Sequence, residues 1–380
     1  MNDRPLAGAL DRLRGEWRQR SAGAFSTTLC ETCDEASIAA SDLIVFPSAQ
    51  LGKLCENNQL RAVRRSVLAS EELNFNDLFS LVRDVEIVYG GCVMALPLGC
   101  PCPLLIAEDS SVSAAGVSLI DQPDNRSIAL AFLACVAPQA VHRSEATTLW
   151  DAESLRPRLT SPPFVRVLRK LTAGSDRQPV ARLVWPQRAG AVAPPSQFVA
   201  TAPGSDEVFN PLAEAWEPTN DRKATLLASS GRLVAVTTSS RNAASAFRLA
   251  AWLASSDVTG QLARSTDGIA NCRVSRSGVA DHWLASDPAV RGGEAFSAAL
   301  AESLTARRAL LTPRLPGAER YLDELGSAIR LAVEGQASPE LALAGASAAW
   351  EDLSDEIGRE AQLAAYLRSV NARDYSPPTK

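Results

Sequence analysis

Three extended stretches limit how this chain can fold. Pro97-Leu-Gly-Cys-Pro-Cys-Pro103 cannot be helix, and its three prolines make it a poor central strand. Gly231-Arg-Leu-Val-Ala-Val-Thr-Thr238 is a clear strand that runs into a polar turn, and Leu311-Thr-Pro-Arg-Leu-Pro316 is a second rigid connection. At about 150 residues per domain, a chain of 380 residues holds two or three domains. If each stretch carries the chain between two bodies, the first and third blocks form one lobe, and the second and fourth form the other. The expected boundaries are 1–98 with 239–311 for lobe I and 99–238 with 312–380 for lobe II. The crossings fall near 97–103, 231–239 and 311–317.

Within the blocks, helix and strand patterns alternate. Leu6, Leu10, Leu13 and Trp17 share a helical face, Phe25 to Leu29 reads as a short strand, and Glu35 to Ala40 as a small helix. Asp42-Leu-Ile-Val-Phe46 is a buried strand ended by Pro47-Ser48, followed by a helix from Gln50 to about Asn57. Asn76 is placed to cap a helix through Val82. Glu86–Tyr89, Gly90-Gly91 and Cys92–Leu96 form a hairpin, since two glycines suit a tight turn that needs positive φ. Helices are expected at Ile128–Cys135, Pro163–Leu171 and Phe296–Leu310, with a strand at Ala181–Trp185 and irregular hairpins over 191–218. Leu322, Leu325, Ile329 and Ala332 mark another helix ended by Gly335, and Ser338-Pro339-Glu340 opens the helical tail that runs to about Val370. Trp17, Trp252 and Trp350 lie on helical faces as core residues. The order β–α–β–α predicts sheets with helices packed on their faces, an α/β fold.

Composition excludes several classes. Hydrophobic residues are 46% and charged residues 21%, which is ordinary for a globular protein. The formal charge of -5 offers no general attraction to phosphate backbones, so a nucleic-acid partner is not expected. Two histidines, His142 and His282, leave no multi-histidine metal site. No segment supplies the ~18 uninterrupted apolar residues of a membrane helix. Met1-Asn-Asp-Arg-Pro5 has neither the basic start nor the apolar core of a signal peptide, which taken alone reads as cytoplasmic. Of eight cysteines, Cys30-x-x-Cys33 and Cys100-x-Cys102 are close pairs; the spacing suits buried thiols or a local disulfide better than zinc. There is no G-x-G-x-x-G, G-x-x-x-x-G-K-[ST], G-x-S-x-G or H-E-x-x-H, so neither a cofactor nor an enzymatic reaction is expected.

Several segments together resemble a known family. Asp42-Leu-Ile-Val-Phe-Pro-Ser-Ala-Gln-Leu-Gly52 is similar to a "D-[IV]-[IV]-x-x-P-S-x-x-L-G" strand and turn, and Tyr89-Gly-Gly-Cys-Val-Met-Ala-Leu-Pro-Leu98 to a "G-x-x-Y-A-L-P" hairpin and first crossing. Arg232 to Val258 resembles a strand followed by an "S-x-N-x-x-A-A" helix and an "L-x-S-x-E-V" element, and the helical tail after Pro313 matches too. In this order the segments resemble extracellular solute-binding protein family 1, the receptor subunits of ABC importers. The resemblance implies a type II periplasmic-binding-protein-like fold: two lobes, each a mixed sheet flanked by helices, with three crossings between them. It further implies a periplasmic or extracytoplasmic location, a membrane permease as partner, a monomeric state and no catalysis. The chain departs from the pattern by starting at the helix that usually follows a signal and first strand, so it reads as lacking both. The segment after Pro103 is also shorter and more polar than usual, with Ser110-Ser111-Val-Ser113 where a longer helix commonly stands.

The expected ligand is a small polar solute, a carbohydrate by the resemblance, bound between the lobes and enclosed by hinge closure. Ser48 and Gln50 follow a buried strand, where they either contact ligand or cap the next helix. Ser239, Ser240, Arg241 and Asn242 begin a helix whose backbone N–H groups and polar side chains suit ligand oxygens. Trp185 ends a strand where the resemblance places a ring that stacks on a sugar, and Tyr321 stands one turn into the helix after the last crossing. Tyr89 and Trp216 are weaker aromatic candidates that also suit core positions. Arg188 and Arg241 would instead hold another polar or anionic solute. A different class, a non-transporting ligand sensor or assembly module with the same fold, fits the same pattern.

Overall fold

Asp3 starts the first helix: its carboxylate accepts the Leu6 N–H at 3.2 Å and Pro5 occupies the first turn, so the helix runs Arg4–Arg12. The computed structural model describes residues 3–21, 23–30, 34–107, 117–119, 121–173, 181–185, 199–220, 223–266, 269–277 and 293–371. Leu6, Leu10, Leu13 and Trp17 are all buried, and Trp17 lies 5.1 Å from the Trp252 ring across the first lobe.

The strands are β1 (Leu43–Pro47), β2 (Val88–Tyr89), β3 (Cys92–Val93), β4 (Leu96–Gly99), β5 (Leu104–Ala107), β6 (Ala181–Val184), β7 (Val199–Thr201), β8 (Glu207–Asn210), β9 (Ala215–Pro218), β10 (Thr225–Leu227), β11 (Arg232–Val236) and β12 (Ala309–Leu311). The first lobe holds the sheet β1-β11-β4, in which β11 runs antiparallel to both neighbours. Helices Arg4–Arg12, Ala243–Leu253 and Ser256–Ser265 flank it. Gly90 and Gly91, at φ +58 and +75, make the tight β2–β3 turn.

The second lobe holds β6-β5-β7, the β8–β9 hairpin and a helical core. At its centre the helix Asn125–Ala140 is buried from Ile128 to Pro138 apart from the half-buried Leu130, and it packs against Pro162–Ala173 and Ala318–Val333. Trp150, Trp350, Tyr321 and Tyr366 form a ring cluster there, with Trp150 and Trp350 stacked at 4.5 Å. Ser338 caps the helix Pro339–Ile357 through the Leu341 N–H at 3.2 Å. This is a two-lobed α/β fold.

The parallel ribbon β10–β12 lies on the boundary, because alternate side chains serve different cores. Leu227, Ala309 and Leu311 join the first, and Leu226 and Leu310 the second. The second passage between lobes therefore runs through Thr225–Gly231, a few residues before the expected 231–239. The residues from Arg232 onward belong to the first lobe's sheet, since Leu43 to Pro47 pair with Val236 to Arg232.

Two local expectations also change. In place of a helix from Asn76, a 3₁₀ turn Phe75–Asp77 and a π turn Val82–Glu86 form. The buried Arg273 guanidinium takes the Leu73 and Asn74 carbonyls at 2.8 and 3.1 Å, and Asn74 adopts φ +44, which diverts the chain from helix. The helix expected to reach Leu310 stops at Thr305, because β12 pairs with β10 instead.

Candidate functional site

The end of β1 packs against the segments Ala228–Gly231 and Thr312–Arg314, and the candidate site is sought there. Ser48 follows β1 and is fully buried; its N–H donates to the Gly231 carbonyl at 2.9 Å. Beneath it lies the fully buried Glu86, whose Oε2 accepts the Ala228 N–H at 2.7 Å. Gly231 has no room for a side chain: a Cβ there would stand 2.8 Å from Glu86 Oε1 and 3.0 Å from Ser48 Oγ. Burial pushes the Glu86 carboxyl up from its ordinary value, opposed by the Ser48 hydroxyl, the Arg314 charge and the Ala228 N–H.

Arg314, on the third passage, is also fully buried. Its guanidinium donates to the carbonyls of Val85 (3.3 Å), Glu86 (2.9 Å), Val88 (3.2 Å) and Ser369. Ala228, at φ +60, is a buried non-glycine residue in the left-handed region, a conformation that costs roughly 1–2 kcal/mol. It is held from both sides: its N–H goes to Glu86, and its carbonyl accepts the Thr312 hydroxyl at 2.7 Å. Ser229 and Ser230 follow and are half-buried, with Ser230 Oγ donating to the Pro101 carbonyl at 3.4 Å.

Trp185 reaches this junction from the second lobe. Its Nε1 donates to Ser229 Oγ at 3.1 Å, and its ring is half-buried against the second core. The turn Ser229–Gly231 thus links Trp185 at one end to Ser48 at the other. Gln50, in the 3₁₀ turn Ser48–Gln50, is half-buried, and its Oε1 has no partner among the described residues. Trp185 and Ser229 meet here, Ser48 is bonded to the same turn through Gly231, and Gln50 lies two residues beyond Ser48.

The other sequence candidates lie elsewhere. Because β11 is antiparallel to β1, Ser239–Asn242 sit at the opposite end of the first sheet from Ser48, a strand of five residues or about 17 Å away. There Ser240 Oγ donates to Asp42 Oδ1 at 2.5 Å, Ser239 Oγ lies 3.1 Å from Thr237 Oγ1, and Arg241 and Asn242 are exposed. Tyr89 donates its hydroxyl to Glu56 at 2.6 Å, which fixes the hairpin to the C-terminal helix Arg359–Ser369, since Arg368 grips the same carboxylate at 2.8 and 2.5 Å. Tyr321 is fully buried in the ring cluster with its hydroxyl 2.9 Å from Ser354 Oγ. Trp216, on β9, packs edge-on to Phe209 at 5.5 Å and carries the Arg166 guanidinium over its face at 4.2 Å. Arg188 lies outside the described residues.

Glu86 and Arg314 are the junction residues that motif reading missed. A charged residue inside the apolar run Val85-Glu-Ile-Val-Tyr89, and an arginine between Pro313 and Pro316, were the available signals. Among the described residues there is no group of three or more His, Cys, Asp or Glu side chains placed to hold a metal ion, and no helix is long and apolar enough to cross a membrane. Cys100 and Cys102 are buried thiols, and Cys33 lies outside the described residues.

Two lobes meet at this buried junction, and the fold matches that of solved solute-binding proteins. The chain is similar to the sugar-binding protein MalE from Xanthomonas citri, with 12% identity, a TM-score of 0.65 and 98% of each chain covered. It is similar to the cyclic alpha-maltosyl-1,6-maltose binding protein from Arthrobacter globiformis, with 13% identity, a TM-score of 0.67, and 93% of this chain and 96% of that one covered. An ABC transporter solute-binding protein from Agrobacterium radiobacter K84, solved with ribitol, shares 15% identity at a TM-score of 0.60, over 93% and 96% of the two chains. At these identities the likeness establishes the fold. No family model matches the chain, and no curated protein matches it.

Proposed function

We propose that this chain is the solute-binding component of an ABC importer, closing its lobes on a carbohydrate and passing it to a membrane permease. The observation that carries the reading is the two-lobed fold shared over more than nine-tenths of the chain with proteins solved as sugar binders. The junction supports it: Trp185 offers a face for the apolar C–H side of a sugar, while Ser229, Ser230 and Gln50 suit its hydroxyl rim. Ligand that touches both lobes only in the closed form shifts the open–closed equilibrium by its differential affinity. In this reading the protein works outside the cytoplasm as a monomer and performs no catalysis.

A thermal-shift screen with ribitol, maltose, maltodextrins, amino acids, polyamines and oxyanions tests it. A ligand at one hundred times its Kd stabilises the native state by about 2.7 kcal/mol, which a melting curve resolves. A rise confined to one sugar class supports the proposal, and Trp185→Ala should abolish that rise. A rise with amino acids or oxyanions alone, or an unchanged sugar affinity in Trp185→Ala, refutes the ligand class or the stacking role respectively.

A further inference from the structure

Two cysteines far apart in sequence, Cys55 and Cys92, flank one tyrosine ring on the first lobe. The helix Leu51–Glu56 carries Gly52, Cys55 and Glu56 on one side, at i, i+3 and i+4. The Tyr89 ring lies along that side: its Cε2 is 3.1 Å from where a Cβ at Gly52 would stand, and its hydroxyl donates to Glu56 at 2.6 Å. Tyr89 and Cys92 are the register partners that close the β2–β3 turn. Side chains directly opposite in an antiparallel pair share a face, with Cβ atoms about 4.5–5.5 Å apart. Cys92 therefore projects from the face of the hairpin that meets the helix. The chain leaving the helix stays beside β3, since the Val63 N–H donates to the Val93 carbonyl at 2.8 Å.

The two thiols differ in character. Both are free in this structure; Cys55 is half-buried, and Cys92 is the one exposed cysteine among the described residues. Burial pushes the Cys55 thiol up to about 12, opposed by the Arg314 charge and reinforced by Glu56 and by Cys92 itself. Cys55 is thus protonated at neutral pH and a poor first nucleophile, whereas Cys92 is open to solvent and to reagents.

We propose that Cys55 and Cys92 are an oxidisable pair whose disulfide staples the β2–β3 hairpin to the helix Leu51–Glu56. The Cys92 thiolate attacks a sulfur of a disulfide donor, glutathione disulfide for example, and one thiol leaves. Cys55 then attacks the Cys92 sulfur of the mixed disulfide, its proton passes to the departing thiolate, and the second thiol leaves. Two electrons and two protons move from the cysteine pair to the donor, which becomes two thiols. The staple bears on the chain at Arg314, because Gly52 packs directly on the Arg314 backbone and the Arg314 guanidinium donates to the Glu86 and Val88 carbonyls beside the hairpin. The pair lies apart from Trp185 and Ser229, and its chemistry holds whichever solute the protein takes.

The test incubates the full chain with glutathione disulfide and maps its cysteines by alkylation and mass spectrometry. The expected product is lighter by two hydrogens, yields a linked Cys55–Cys92 peptide, and melts about 5 °C or more above the protein kept in dithiothreitol. Cys55→Ser should stop at the mixed disulfide, with one glutathione on Cys92, and Cys92→Ser should leave Cys55 unmodified. Cys92 is exposed, so Cys92→Ser should fold as the wild type, and it keeps the test decisive even if Cys55→Ser does not fold. The proposal is overturned if both thiols of the wild type are still alkylated after excess donor, or if the glutathione adduct on Cys92 persists without linkage. A bond from Cys92 to another cysteine or to a second chain, or an unchanged Tm in the linked protein, also overturns it.

Discussion

Replacing Arg314 with Met tests whether the buried guanidinium holds the lobes and the C-terminal helix together. Its four carbonyl acceptors lie on two separate segments, Val85–Val88 and Ser369. Bonds to a charged donor contribute about 1.5–3 kcal/mol each, so four at the lower figure give roughly 6 kcal/mol. Ordering an arginine side chain costs about 2 kcal/mol against that. Methionine fills most of the volume, and the expected net loss is therefore about 4 kcal/mol, within the 3–5 kcal/mol typical of stripping one partner from a buried charged set. That is a large share of the 5–15 kcal/mol that holds an ordinary domain folded. Urea unfolding followed by circular dichroism measures the loss, and limited proteolysis should show early cleavage near Ser369. Arg320→Met, which removes an exposed pair with Glu356, should leave the midpoint unchanged. Because Arg314 lies near the Glu86 charge, adding Glu86→Gln to Arg314→Met should recover part of the loss. A loss below about 1 kcal/mol, with the C-terminus still protected, refutes the clamp.

Glu86→Gln should change the pH dependence of stability. The native carboxyl is raised, so the folded state holds its proton to higher pH than the unfolded chain. The stability Glu86 contributes is complete below about pH 4.3 and declines as pH rises through the native pKa. Stability of the wild type relative to the Gln variant should therefore fall as pH rises from 4, and a constant difference across pH 4–8 refutes the reading. Trp350→Ala removes a fully buried ring stacked on Trp150 and the bond from its Nε1 to the Tyr321 carbonyl at 2.7 Å, and should cost about 3–5 kcal/mol in urea unfolding. Tyr321→Phe loses only the contact with Ser354 and should cost about 1 kcal/mol, leaving ligand affinity unchanged; a large affinity loss would return Tyr321 to the binding site.

Elements whose signals are local were legible in the sequence. Ser338-Pro339-Glu340 reads as a helix start because cap, first-turn proline and acid all act within one turn, and the helix begins at Pro339. Gly90-Gly91 reads as a turn because positive φ is a single-residue property. The site residues were harder, since their meaning depends on which way a strand runs. Ser239–Asn242 follow β11 in sequence just as Ser48 follows β1, and both look like a polar turn after a buried strand. Only the antiparallel pairing of Leu43 with Val236 sends the two turns to opposite ends of the sheet, and no local spacing encodes that direction. Tyr321 and Trp350 lie 29 positions apart, so a ring contact was not visible as periodicity, although Trp350 was placed in the core by its helical face.

The same non-local contacts decide where hinge motion can occur. Ala228 is strained, fully buried and bonded at both its N–H and its carbonyl, the first to Glu86 and the second to Thr312. A residue fixed at both ends cannot absorb the dihedral change of closure without breaking two buried bonds. Ser229 and Ser230 are half-buried; the Ser229 hydroxyl meets Trp185 Nε1 at 3.1 Å, and Ser230 is held through its hydroxyl to the Pro101 carbonyl at 3.4 Å and through its own carbonyl by the Arg232 guanidinium at 3.1 Å. Hinges are the few residues that take up large backbone rotations, so the proposed closure is expected to place its rotation at Ser229 and Ser230, between the fixed Ala228 and Gly231, whose carbonyl accepts the Ser48 N–H. The Ser229 bond comes from Trp185. In the proposed reading, where Trp185 meets ligand, this bond would join the ligand-contacting ring to the rotating segment and couple occupancy of the junction to the angle between the lobes.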